Sequence, residues 1–384
     1  MQAPLRFVEA PVPPSAEPLR VEVRAFLAEH QAGWSARSIA QSWVGFDRAF
    51  TRAVGARGWI GMTWPEVYGG QARSMLERYI VLEEMMAVGA PIGAHSTGDR
   101  QTGPLLLRLG TEEQKQAFLP RLARGDISIC VGLSEPDAGS DLAAIRSRAD
   151  PVAGGWRLNG RKIWTTNAHQ SAYMLGLFRT EGTSADRQKG LSQLLIDLSA
   201  PGIEIRGIRD LSGQAHFNEV TFDDVFVPHD ALVGEAGAGW AQVTAELAFE
   251  RSGPDRFMSA YPLLDRLAQH PACAADRAAR SQIGQALADV AVLRFMSLSL
   301  AEKLSRGETP NLEAAVVKEL GVTFEQSVPE LARNVLAALP ANTPPPAELT
   351  QLLQATLEIS PTYSLRGGTR EIMQGIIARG LGLR

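Results

Sequence analysis

The sequence is poor in the groups that usually announce a catalytic centre. Only two cysteines occur in 384 residues, Cys130 and Cys273, far apart and inside apolar runs. They indicate neither a disulfide framework nor a thiolate metal site, and they suit a reducing interior. The six histidines, His30, His95, His169, His216, His229 and His270, are too scattered to place two ligands on one helical turn, so no metal site is expected. There is no G-x-S-x-G elbow, no Walker A loop, and no G-x-G-x-x-G following a strand. Hydrolase and nucleotide-triphosphatase readings lose most of their support. Charge is also thin and mixed: the formal net charge is −4 without blocks of like sign. That gives no basic footprint for nucleic acid and no acidic tail. No unbroken apolar run is long enough to span a bilayer, and "MQAPLRFVEAPVPPSAEP" has no positive segment followed by an apolar core. The chain therefore reads as cytoplasmic, with no membrane partner.

What is present is ordinary globular composition, 45% hydrophobic and 21% charged, enough for two or three domains with sizeable cores. The periodicity divides the chain. In 1–125, apolar residues recur at three and four in "LRVEVRAFLAEH", "DRAFTRAVGARGW" and "MLERYIVLEEMMAVG", and "GTEEQKQAFLPRLARGD" reads as a helix capped by Thr111. In 126–235 the signal changes to short runs rich in Ile, Val, Trp and Phe between turn residues, a β domain. Asn159-Gly160 in "GGWRLNGRKIWTT" predicts a type I′ hairpin there. In 236–384 long helical segments return, joined by short polar breaks and the connector "ANTPPPAE" at 341–348, which predicts a helical bundle. The fold class is thus mainly α with a central β domain.

Anion-binding and stacking groups concentrate in the β domain. "LSEPDAGSDL" sets Ser134, Gly139, Ser140 and Asp141 around a tight turn whose amides and hydroxyls suit a phosphate or a polar ring edge. "KIWTTN" puts Trp164 and Thr166 on one face of a strand, where an indole can cover an aromatic ring. Taken singly, the first is more often a loop and Trp164 more often core. Taken together, "GWIGMTWPEVYGG", "GTEEQKQAFLPRLARGD", "GLSEPDAGSDL", "GRKIWTTNA", "FDDVFVP" and "GGTREI" resemble, in this order and over nearly the whole chain, the acyl-CoA dehydrogenase family.

The resemblance implies an N-terminal helical domain, a middle β-barrel and a C-terminal four-helix bundle, with FAD between barrel and bundle. It implies that Leu133 and Ser134 meet the polar edge of the flavin ring and that Trp164 and Thr166 lie against the isoalloxazine. Ser140 matches a position near the thioester arm and the flavin, and Thr369 and Glu371 match positions reaching the ADP part of FAD. Thr369 also reads as an N-cap of the last helix, its hydroxyl accepting from the Glu371 or Ile372 N–H.

The family reaction removes the α proton of an acyl-CoA thioester while the β hydrogen leaves as hydride to flavin N5, which requires a carboxylate in a dry pocket. In many relatives that glutamate stands just before "GT" at the start of the last helix; here the position is Gly367. The second location known in branched-chain and long-chain members aligns with Glu250 in "ELAFERSGPDRF". Its neighbour Arg251 matches a contact on the CoA side, and Gly367 leaves room for the thioester. The plain reading of Glu250 is a solvated helix charge, but consecutive helical residues point about 100° apart, so Glu250 and Arg251 are not an i,i+4 pair.

The family's R-x-x-F and Q-x-x-G-G-x-G segments, through which a neighbouring subunit clamps FAD, are absent from the corresponding zones. Arg280 and Gln282 are candidate substitutes, and a polar helix face explains both equally well. The loss resembles divergent members acting on bulky ring-containing or carnitine-type thioesters, some built from two unlike subunits. "HSTGDRQTGP" at 95–104 is polar for a fatty-acyl pocket and hints at an unusual acyl group. The expectation is an FAD-dependent acyl-CoA dehydrogenase of lipid metabolism, passing electrons to an electron-transfer flavoprotein. It would be a homo-oligomer (dimer or tetramer) or a heterotetramer with a homologous subunit. The alternative is a flavin-poor structural partner subunit of a heteromeric enzyme.

Overall fold

The computed structural model describes residues 5–251, 253–340 and 344–383, without the side chains of residues 247–249. Residues 341–343 of the proline-rich connector lie outside the described residues. In chain order the main elements are α1 (Ala16–His30), α2 (Ala36–Ala40), α3 (Arg48–Ala56), α4 (Met75–Val88), α5 (Gly103–Leu109) and α6 (Glu112–Ala123). The strands follow: β1 (Ile129–Gly132), β2 (Arg148–Val152), β3 (Gly155–Thr166), β4 (Tyr173–Arg179), β5 (Leu191–Asp197), β6 (Ile203–Ile208), β7 (Phe217–Pro228) and β8 (Leu232–Val233). The C-terminal helices are α7 (Gly239–Glu250), α8 (Tyr261–Gln269), α9 (Pro271–Ala275), α10 (Arg277–Ser305), α11 (Asn311–Ala338), α12 (Ala347–Ile359) and α13 (Arg370–Gly380).

Packing groups these segments into two compact units, Met1–Gly45 with Ser74–Pro91 and Ala248–Arg384, and Phe46–Arg73 with Ile92–Leu247. The helices before residue 125 are shared out: α1, α2 and α4 belong to the first unit, α3, α5 and α6 to the second.

In the helical unit, α1 buries Leu19, Val23, Phe26 and Leu27, one face at helical spacing, and packs on α4. Ser74 and Glu77 close a capping box at the start of α4. Its buried Glu83 and Glu84 are held by Arg20, Arg24 and Arg294. α10 packs on α4 and α11, and α11 on α13. By length and composition alone α10 is apolar enough to cross a bilayer, contrary to the reading of the sequence as free of such a segment. Half of its apolar window is buried in the fold, and its Arg294 donates to Glu83 of α4 at 2.5 Å. Those are the traits of a bundle's core helix.

In the second unit the strands form one mixed sheet in the order β6-β7-β3-β2-β4-β5-β8, with β1 parallel to β4. The sheet curls on itself. β7 and β4 are separated by two strands in the ladder, yet Phe178 and Phe222 meet edge to face at 5.2 Å. One core gathers Leu158, Met174, Phe178, Ile196, Val220 and Val225 from four strands. The other face of β4 and β5 is covered by α5 and α6 through Leu105, Leu106, Leu119 and Leu122. Thr111 and Gln114 form the expected cap of α6 as a full capping box.

The Asn159-Gly160 hairpin is not formed. β3 runs straight through that dipeptide, and the turn into it is made at residues 153–154, with Gly154 at φ +84°. Gly160, at φ +140°, sits where the β3–β7 register shifts, and a Cβ there would collide with Ser147. Asn159 Oδ1 accepts from the Asp224 amide at 2.9 Å. The glycine serves a bulge and a close backbone approach, the other use of glycine in a strand.

Candidate functional site

α7 ends at Glu250, and the chain reverses in a 3-10 turn, Pro254–Arg256. The reversal brings Arg256 back onto the helix end. Its Nε donates to the Glu250 carbonyl at 2.9 Å and its Nη2 to Glu250 Oε1 at 2.7 Å. Both side chains are buried, Glu250 8% and Arg256 2% exposed. The charge-assisted bond to Oε1 helps a carboxylate remain in so dry a place, and the bond to the carbonyl fixes the guanidinium beside it. Gly321 of α11 makes the approach possible, since a Cβ there would collide with the Arg256 carbonyl.

The double glycine before α13 faces this carboxylate. Gly367 and Gly368 have φ of +67° and +98°, a region that strains any residue with a Cβ. A Cβ on Gly367 would lie 3.1 Å from Glu250 Oε1. The glycine position and the Glu250 carboxylate thus converge on one spot. Cations take both glycine carbonyls: Arg251 Nε donates to Gly367 O at 3.0 Å, and Lys318 Nζ to Gly368 O at 2.6 Å. Arg251 is itself buried, and burial pulls its guanidinium below the usual range against the pull of Glu250.

Around this core the charges continue. Arg366 donates to Glu325 Oε2 at 2.6 Å and Ser259 Oγ at 2.9 Å, and its guanidinium lies over the rings of Trp43 and Tyr363. Lys318 is fully buried. Burial, reinforced by the charges of Arg256 and Arg366 and opposed by Glu250, pushes its ammonium down to about 7. A lysine depressed in the folded state destabilises the fold fully below about pH 7, and that penalty fades as pH rises toward the unfolded value of 10.5.

In the sheet unit, the loop carrying Leu133 and Ser134 is held against β3, the strand that carries Trp164 and Thr166. The Ile163 N–H donates to Ser134 O at 2.9 Å, and Lys162 Nζ reaches Leu133 O at 3.2 Å and Glu135 Oε1 at 2.7 Å. Glu135 also accepts from the Arg146 and Ser147 amides at 2.6 and 3.0 Å. Burial would raise its pKa, but Lys162 and these amides bring it net below the usual carboxylate range, while burial pushes the Lys162 ammonium down to about 8. This buried pair rivets the 133–135 loop to β3. Trp164 stands out: it is 57% exposed, at φ +59°, in an irregular stretch of the β3–β7 ladder, with an edge contact to Phe217. A bulky residue held left-handed with its ring open is a strained arrangement of the kind found at binding sites.

In the "LSEPDAGSDL" turn the Glu135 and Ala138 amides donate to each other's carbonyls at 3.0 Å, and the Asp141 carboxylate is paired with Arg187 at 2.5 Å. Ser140 is exposed. Thr369 occupies the N-cap of α13 but accepts no first-turn amide. The Glu371 carboxylate is instead lowered by its own N–H and by the Thr369 hydroxyl. In "HSTGDRQTGP", His95 bonds to Thr51 and Asp99 accepts from the Gly61 amide, so part of that polarity serves the fold. Arg280 and Gln282 are both exposed on α10.

Arg256 and Lys318 were not anticipated from the sequence. Lys318 had a legible signal: Ala314, Val317, Lys318 and Gly321 are all buried at helical spacing, which places a lysine on a core stripe.

The patterns of the acyl-CoA dehydrogenase N-terminal, middle and C-terminal domains match residues 13–126, 130–225 and 237–382. The chain belongs to the acyl-CoA dehydrogenase family and is an oxidoreductase acting on acyl-CoA thioesters. Among its relatives is the acyl-CoA dehydrogenase IpdE1 of Mycobacterium tuberculosis, 35% identical over 96% of this chain and 97% of that protein. FadE29 of the same organism is 32% identical over 86% and 87%. Of solved structures, the Tcur3481-Tcur3483 steroid ACAD matches at 25% identity over 97% of each chain with a TM-score of 0.85. The ChsE4-ChsE5 complex from Mycobacterium tuberculosis matches at 28% over 99% and 100%, with a TM-score of 0.83.

Proposed function

We propose that this chain catalyses FAD-dependent α,β-dehydrogenation of an acyl-CoA thioester to the 2-enoyl-CoA, with Glu250 as the base that takes the α proton. The observation that carries the reading is the convergence of the buried Glu250 carboxylate on Gly367, the position from which many relatives supply their base. FAD, when bound, supplies the acceptor for the β hydrogen. Glu250 accepts the proton in a site dried by burial. Arg256 fixes the carboxylate's orientation, and Gly367 keeps the space before it clear of any side chain.

Leu133, Ser134, Trp164 and Thr166 are assigned to the flavin ring, and the open indole of Trp164 fits the flat face of such a ring. Thr369 and Glu371 are assigned to its ADP part, and Ser140, Arg251 and Gly367 to the thioester arm. Trp164→Gly tests the first assignment. Glycine relieves a left-handed strain of roughly 1–2 kcal/mol and gives up little packing, so the melting temperature of the flavin-free protein should not fall. Flavin affinity should drop up to about tenfold with the lost ring contact. An unchanged affinity measured by fluorescence titration removes Trp164 from the site.

A bulky ring-containing acyl group is the favoured substrate class, supported by the similarity to a structure described as a steroid ACAD. The electron acceptor is taken to be an electron-transfer flavoprotein. Oligomers, homomeric or with a homologous subunit, are supported by the likeness to the ChsE4-ChsE5 complex. The two cysteines are buried free thiols, which supports a reducing, cytoplasmic setting. The second reading, a flavin-poor partner subunit, is favoured by the missing FAD-clamping segments. Anaerobic visible spectra of the purified chain, before and after a panel of acyl-CoA thioesters, separate the two. Bleaching of bound flavin is expected. A colourless protein that gains flavin only with a co-expressed homologue overturns the first reading in favour of the second.

A further inference from the structure

Lys318 has no role in the reaction as proposed, yet it lies inside the same buried cluster. Its Nζ is held by the Gly368 carbonyl at 2.6 Å, one residue from the glycine that faces Glu250. The charged groups turned toward it come from several elements: Glu250 and Arg251 from the end of α7, Arg256 from the 3-10 turn, and Arg366 from the segment before the double glycine. Glu325 lies two turns along α11, occupied by Arg366. Asp255 stands against Arg256, and Glu319 of α11 is taken by Arg370 of α13.

We propose that Lys318 is a positioning residue for proton abstraction: it carries the glycine strap against Glu250, and its protonation state sets how strongly Glu250 draws a proton. The inference rests on Glu250 being the base. The charge balance of the cluster supports it. Arg251, Arg256, Lys318 and Arg366 are opposed by Glu250, Asp255 and Glu325, and buried Glu246 stands one turn before Glu250 on α7. When Glu250 takes a proton, the cluster loses one negative charge. With Lys318 as the neutral amine it holds one positive charge fewer against that step, a smaller cost in a dry interior. An amine still donates to Gly368 O, so the strap is held in both states. Proton abstraction therefore strengthens as pH rises through the Lys318 titration, which burial brings near neutrality. The coupling is reciprocal: loss of the Glu250 charge eases loss of the Lys318 proton.

Two measurements test this. In flavin-loaded protein carrying isotope-labelled lysine, the side-chain NMR signal absent from Lys318→Gln identifies Lys318. It should titrate near neutral pH in the wild type and at a lower pH in Glu250→Gln. In anaerobic stopped-flow, the wild-type rate of flavin reduction should rise through the same pH. Lys318→Gln, which keeps a donor for Gly368 O without the charge, should give a flat profile at the upper level. Lys318→Arg, permanently charged, should give a flat profile at the lower one. Titration of Lys318 at an ordinary lysine pH, or a wild-type inflection that survives in both variants, overturns the inference. Retained reduction in Glu250→Gln overturns the base assignment instead, and the NMR titration still reports whether the two groups are coupled.

Discussion

Glu250→Gln keeps its fold and its flavin and loses anaerobic flavin reduction by about 10²–10⁴-fold, the usual worth of a general base. The amide matches the carboxylate in shape, and its oxygen can still accept from Arg256 Nη2, which lies 2.7 Å from Glu250 Oε1. What it cannot do is hold a proton. The Gly367 backbone offers no substitute, so the deficit should appear in the reductive step and leave acyl-CoA binding nearly intact. Stopped-flow reduction with a reactive thioester measures it, and wild-type rates in the variant would sink the assignment.

Arg256→Leu acts on stability more than on binding. It removes a donor to the Glu250 carboxylate and a donor to the Glu250 carbonyl together, weakening the hold on a buried charge. Breaking such a pair costs about 3–5 kcal/mol. Denaturant unfolding should show that loss. Combining the change with Glu250→Gln should recover part of it, because the buried charge is then gone. The double-mutant cycle is expected to depart from additivity by roughly 0.5–3 kcal/mol. Strict additivity would mean that Arg256 does not hold Glu250, and the orientation argument for the base would go with it.

How far the sequence carried these conclusions depends on the distance over which each signal acts. Helices with caps and apolar stripes, such as α4 behind Ser74 and α6 behind Thr111, were legible because capping and amphipathicity are local. Asn159-Gly160 misled for a related reason: the dipeptide favours a hairpin locally, while pairing with β7 and crowding by Ser147 turned it into a bulge. Glu250 could be reached because an absent glutamate at 367 directed attention to it. Arg256 could not, since its role depends on a chain reversal after α7 and on room made by Gly321 from another helix. The bond from Arg251 Nε to the Gly367 carbonyl was hidden too, because it joins positions 116 residues apart. The strain at Trp164 arises from register along β3 and leaves no mark in composition.

The convergence at residue 367 also bears on ancestry. A side chain there and the Glu250 carboxylate would occupy the same few ångströms, and two carboxylates so close repel strongly. The two locations for a base behave as alternative tenants of a single site. A form carrying both would hold one of them protonated. The left-handed backbone at Gly367 adds a further cost to a side chain there, because any residue but glycine is strained in that conformation.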